Sequence, residues 1–98
     1  MTKVTLSKTG AKEFEKIIDV FTEEDKISLR YWISFVEKKG IKRAQENPSF
    51  RDHELFEKWA GYRAASFGFS ARVIYRIVDL KIEIVEIERI TTTHNYKR

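Results

Sequence analysis

The chain has 98 residues, 42% of them apolar and 13% aromatic, with a net charge of +4. That length suits one domain around one modest core, and the composition excludes an intrinsically disordered chain. The sequence has no cysteine, which removes disulfides and thiolate metal sites and fits a reducing, cytoplasmic setting; no apolar run nears the roughly 18 residues of a membrane span, and the polar N-terminus lacks a signal-peptide core.

Taken in order, "KVTLS" is alternating and β-branched and predicts a first strand. Ser7 or Thr9 can then cap a helix in which Ala11, Phe14, Ile17, Ile18 and Phe21 recur at helical spacing. Thr22, with Asp25 three residues on, predicts the capping box of a second helix. That helix runs to about Glu46, with Ile27, Tyr31, Trp32, Phe35 and Val36 as its apolar face. Gly40 ends or bends it, and Pro48 terminates any helix nearby. The second half changes period. "GYRAASFGFSARVIYRIVD" holds two alternating runs around "FGFS", and "LKIEIVEIERI" is a third, with "DL" between Val78 and Lys81 as a tight turn. Helices in one block and strands in another predict a single α+β domain over residues 1–98: an N-terminal strand, two helices, then a three-stranded antiparallel meander with the helices on one face of the sheet.

The charge distribution says more than its sum. No acidic residue lies between Trp59 and Val78, yet Arg63, Arg72 and Arg76 do. Alternation from Ala71 to Asp79 puts Ala71, Val73, Tyr75 and Ile77 on the core face and Arg72 and Arg76 on the open one. A simple hairpin turn at "FGFS" adds Arg63 to that open face; a bulge moves it across. Planar guanidiniums suit phosphate recognition. The competing expectation is cross-strand pairing with Glu83, Glu86 or Glu88, strongest for Arg76. "KKGIKR", Lys38 to Arg43, is a second basic run that a solvated helix face would equally explain. A generic RNA-binding module would need exposed sheet aromatics, for which Phe67 and Phe69 are the obvious supply.

"DHELFEKWAGYR", then "ARVIYRIVD", then a last strand and "THNYKR" resemble the RelE/ParE toxin superfamily, and within it the YafQ-like and RelE-like messenger-RNA interferases of type II toxin–antitoxin modules. The residues that carry the resemblance are Asp52, His53, Leu55, Trp59, Gly61, Tyr62, Arg63, Arg72, Tyr75, His94 and Tyr96. The order strand–helix–helix–three strands agrees. The sequence departs from the YafQ-like pattern at Ser66, Ser70 and Ala71, where those enzymes carry histidine, aspartate and tryptophan, and at Glu57, which stands where a glycine is common.

The resemblance implies a toxin that enters the ribosomal A site and cuts messenger RNA without metal or other cofactor. The 2′-hydroxyl attacks the adjacent phosphate, which requires a base, cationic donors on the developing charge, and an acid at the leaving oxygen. It implies His53 and His94 as acid–base groups, Arg63 and Arg72 as the phosphate clamp, and Tyr96 as a stacking or proton-donating group. Arg76, Arg89 and Tyr62 are implied RNA contacts, and Leu55 and Trp59 anchor the "RDHELFEKWAGYR" segment to the core. It also implies a cognate antitoxin that forms a hetero-oligomeric complex and masks the basic face with an acidic, disordered or helical segment. Two alternatives stay open: a ParE-like inhibitor of DNA gyrase on the same fold, and a catalytically degenerate member that only binds antitoxin or RNA.

Overall fold

The computed structural model describes residues 2–68, 71–79 and 83–92. Strand β1 (Lys3–Leu6) leads directly into helix α1 (Lys8–Ile17). Of the two candidate caps, Ser7 serves: its hydroxyl accepts from the Gly10 N–H at 2.9 Å, filling one of the helix's orphan donors. Helix α2 (Glu23–Lys39) opens with the expected capping box. The Asp25 N–H donates to the Thr22 hydroxyl at 3.0 Å, and the Thr22 N–H to the Asp25 carboxylate at 3.1 Å. Gly40, at φ 93°, takes a backbone conformation that side chains disfavour. The predicted long helix is therefore broken there, and a short α3 (Ile41–Glu46) follows.

The face that α2 buries matches the predicted one at Trp32, Val36 and, in part, Phe35, and differs at its other positions. Leu29, Trp32 and Val36 face the core, whereas Ile27 and Tyr31 stay mostly exposed. Tyr31 contacts Phe35 and Phe50 at the rim. At the centre Trp32 meets Tyr75 with ring centroids 5.6 Å apart.

The expected meander is present as β3 (Arg63–Phe67), β4 (Ala71–Asp79) and β5 (Ile84–Thr92). It is the middle of a larger mixed sheet rather than the whole of it. The short β2 (His53–Glu54) adds antiparallel to β3, and β1 adds parallel to β5, giving the order β1-β5-β4-β3-β2. No local pattern announces a parallel pair whose members lie at opposite ends of the chain. The predicted "DL" turn is also corrected. Asp79 belongs to β4 and pairs with Ile84, so the connection spans 80–83, of which Leu80, Lys81 and Ile82 lie outside the described residues.

The two helices do not share one face equally. Helix α2 covers the sheet, while α1 takes over the β5 edge where β1 ends. Glu13 of α1 accepts the outward Ile90 N–H at 3.3 Å. A Cβ on Gly10 would lie 2.3 Å from the Ile87 carbonyl oxygen, so only glycine allows this approach.

Candidate functional site

The pairing registers sort every candidate side chain by face. Residues directly opposite across an antiparallel ladder point the same way. Ser66, Arg72 and Thr91 form one row on the face away from α2; His53, Ala64, Ile74 and Arg89 form the next. Arg76 and Glu86 belong to a third, with the ring of Tyr62 under the Arg76 guanidinium at 5.5 Å.

Arg63 is not on this face. Phe67 pairs with Ala71 and Arg63 with Tyr75, so the three-residue connection 68–70 inverts the parity that a simple hairpin would give. The Arg63 guanidinium points to the helix-covered side. Its Nε donates to the Asp52 carboxylate at 2.6 Å, with 31% of the Arg63 side chain exposed and none of the Asp52 side chain. The Tyr75 hydroxyl donates to the other Asp52 oxygen at 2.5 Å and accepts from Gln45 Nε2 at 3.4 Å. Burial, then the hydrogen bond to Asp52, pushes the Tyr75 phenol well above its ordinary value of 10.0. Burial alone would lower the Arg63 guanidinium, but the bond and charge of Asp52 raise it. Arg63 is thus engaged by Asp52 from the helix-covered side rather than standing beside Arg72 on the open face.

The open face divides its cations into two groups. Arg76 is engaged by Glu86 at 3.2 Å, the pairing that competed with an RNA role; that hydrogen bond, ahead of the nearby Tyr62, raises its pKa. Arg89 donates to Glu13 of α1 at 2.9 Å and lies over the Trp59 ring at 5.6 Å. Trp59 and Tyr62 meet edge to face at 5.1 Å. Trp59 therefore packs on Arg89 and Tyr62 at the open face and is not part of the core cluster, correcting its assignment as a core anchor. Phe67 is buried, so it offers RNA no aromatic surface, and Phe69 lies outside the described residues.

Arg72 is exposed and has no carboxylate partner among the described residues. It lines an open depression of about 300 Å³ with Arg51, Ser49, Ser66 and Gly68. Arg51, also exposed and without such a partner, is the residue that sequence reasoning missed. Its αL backbone, φ 48° and ψ 40°, costs a non-glycine residue on the order of 1–2 kcal/mol. Its position immediately before the Asp-His pair was the available signal. His53 is exposed on the adjoining row, its Nδ1 3.0 Å from the Arg51 carbonyl oxygen. His94 and Tyr96 lie outside the described residues. Two guanidiniums and two serines in one concavity can hold a phosphodiester, and a neighbouring imidazole can exchange a proton beside it.

No protein-family model matches the sequence, and no curated protein sequence matches it. The fold does have counterparts: its mixed sheet and helices are those of the RelE-like toxins. The chain is similar to Escherichia coli YafQ, with a TM-score of 0.71 and 21% identity over 94% of this chain and 93% of that one. It is also similar to a copper-bound mutant toxin from Helicobacter pylori, with a TM-score of 0.70, 23% identity, and 99% and 100% of the two chains covered. A third counterpart is the E. coli DinJ–YafQ toxin–antitoxin complex, at 0.68 and 20% over 98% of each chain. The resemblance read from the sequence therefore holds at the level of the fold.

Proposed function

We propose that this chain is the toxin of a type II toxin–antitoxin pair, a cytoplasmic, metal-independent endoribonuclease that cuts messenger RNA in the ribosomal A site. The observation that carries the reading is that Arg51 and Arg72 line one open depression, with His53 on the adjoining row of the same face. In the proposed reaction the 2′-hydroxyl loses its proton to a base and attacks the adjacent phosphorus. The P–O5′ bond breaks, and an acid protonates the leaving oxygen. The products are a 2′,3′-cyclic phosphate and a 5′-hydroxyl. Arg51 and Arg72 stabilise the charge that grows on the non-bridging oxygens. His53 and His94 fill the acid and base roles, and Tyr96 stacks on a base or donates a proton. Tyr62, Arg76 and Arg89, with Trp59, contact the flanking strand; the exposed Arg76–Glu86 ion pair contributes little to stability and yields readily to phosphate.

The likeness to a toxin solved with its antitoxin supports a cognate antitoxin as partner, and the exposed cations Arg51 and Arg72 suit an acidic segment of it. The test is cleavage-end mapping in a cell-free bacterial translation reaction, with and without ribosomes. Ribosome-dependent cuts at codon spacing with 5′-hydroxyl ends are expected. Cuts on naked RNA would keep the nuclease and remove the A-site step. No cuts from folded protein would reject the nuclease and make a gyrase supercoiling assay the next experiment.

A further inference from the structure

Arg51 holds a left-handed backbone immediately before Asp52. A non-glycine residue persists there only where its surroundings over-determine it, and such residues cluster at functional sites. Here the surroundings are identifiable. The Arg51 N–H donates to the Pro48 carbonyl at 3.3 Å, and the Arg51 carbonyl faces His53 Nδ1. The next side chain, Asp52, is fully buried, and its two oxygens are held by different donors, Oδ1 by Arg63 and Oδ2 by Tyr75. Two donors on two oxygens fix both the position and the rotation of the carboxylate. Arg63 and Tyr75 are themselves register partners on β3 and β4.

These are the same two strands that carry Ser66 and Arg72 to the other face. The buried carboxylate therefore ties the Arg51 turn to the strands that supply the rest of the depression. From this geometry we infer that Asp52 is a positioning residue: gripped by Arg63 and Tyr75, it holds the turn that sets the Arg51 guanidinium beside Arg72, so that together they take a phosphodiester of single-stranded RNA. The inference rests on the reading of this face as an RNA site. It also gives Arg63 a role it can perform from the buried side, acting through Asp52. Asparagine at position 52 keeps one acceptor oxygen and places an NH2 donor where the other stood, so Asp52→Asn removes the charge and can no longer accept from Arg63 and Tyr75 at two separate oxygens.

The test uses the full chain, with inorganic pyrophosphate as the probe and the arginine Nε–H signals read by NMR. In the parent protein the Arg51 and Arg72 signals should both shift on titration. In Asp52→Asn, and in the milder Tyr75→Phe, the Arg72 shift should persist while most of the Arg51 shift is lost. A purely stabilising role for Asp52 would lower the melting temperature yet leave both signals responding in the folded protein. In ribosome-dependent cleavage, Asp52→Asn and Arg51→Gly should each lower kcat on the order of 10- to 100-fold. If Asp52 acts through Arg51, the double variant should be no worse than the worse single one. Losses that multiply, an Arg51 signal that responds normally in both Asp52→Asn and Tyr75→Phe, or a parent protein that responds at neither arginine would each overturn the inference. A parent protein that shifts at both arginines but cuts nothing would sink the nuclease reading, and the Arg51 signal in the two variants would still decide the role of Asp52.

Discussion

Replacing Tyr75 by Phe removes one oxygen and keeps the ring that Trp32 packs against at 5.6 Å. What is lost is a buried hydrogen bond to the Asp52 carboxylate. Bonds to charged groups contribute about 1.5–3 kcal/mol. The 3.4 Å contact from Gln45 is long and adds little. Arg63 still neutralises Asp52, so the cost should stay below the 3–5 kcal/mol typical of orphaning a buried charge. We expect a loss of about 2 kcal/mol at pH 8, which for a domain of this size lowers the melting temperature by about 10 °C. The pH dependence makes the test sharper. Folding raises the phenol's pKa above 10.0, so above that pH the unfolded chain releases the proton while the folded one keeps it. The stability contributed by the phenol is therefore complete below pH 10 and is lost as pH rises toward the folded value, at up to about 1.4 kcal/mol per pH unit. Urea unfolding followed by circular dichroism from pH 8 to 11.5 should show Tyr75→Phe weaker than the parent at pH 8, with the gap closing above pH 10. A gap under about 0.5 kcal/mol at pH 8, or one that does not change with pH, would refute the network.

The two arginines of the implied phosphate clamp should behave oppositely. Arg63→Ala leaves the buried Asp52 carboxylate without its cation and should cost about 3 kcal/mol, whereas Arg72→Ala, exposed, should change urea stability by no more than about 0.5 kcal/mol. In ribosome-dependent cleavage Arg72→Ala should lose on the order of 10²-fold in kcat, and His94→Ala most of its activity, with the fold retained in both; full cleavage by both variants would remove these residues from the site. Gly10→Ala should lower stability by about 1 kcal/mol or more, because the clash with the Ile87 carbonyl oxygen outweighs the roughly 1 kcal/mol that alanine gains in helix propensity. A neutral or stabilised Gly10→Ala in the same urea assay would mean that α1 does not approach β5 this closely.

Local chemistry alone was enough to locate most elements. The Thr22–Asp25 capping box, the break at Gly40 and the alternation of β4 follow from interactions within a few residues, and each stands in the structure as read. The alternation also put Arg72 and Arg76 on the open face, since only one side of β4 is apolar enough to be core. The sequence motif likewise singled out Asp52, Arg63 and Tyr75, but not what joins them: a hydrogen-bonded network between the Asp52 turn and two strands exists only once the registers are set. Tertiary structure decided the rest. One residue of connection length turned Arg63 from the open face to the buried one, because side chains alternate with period two and any odd shift reverses them all. Pairing of β1 with β5, and of the short β2 with β3, made a five-stranded sheet of a predicted meander. The αL turn at Arg51, invisible to period or composition, lies where Arg51 lines the same depression as Arg72. Residue types determined which chemistry this protein could carry; strand register, a property of the whole sheet, determined which side chains meet to carry it.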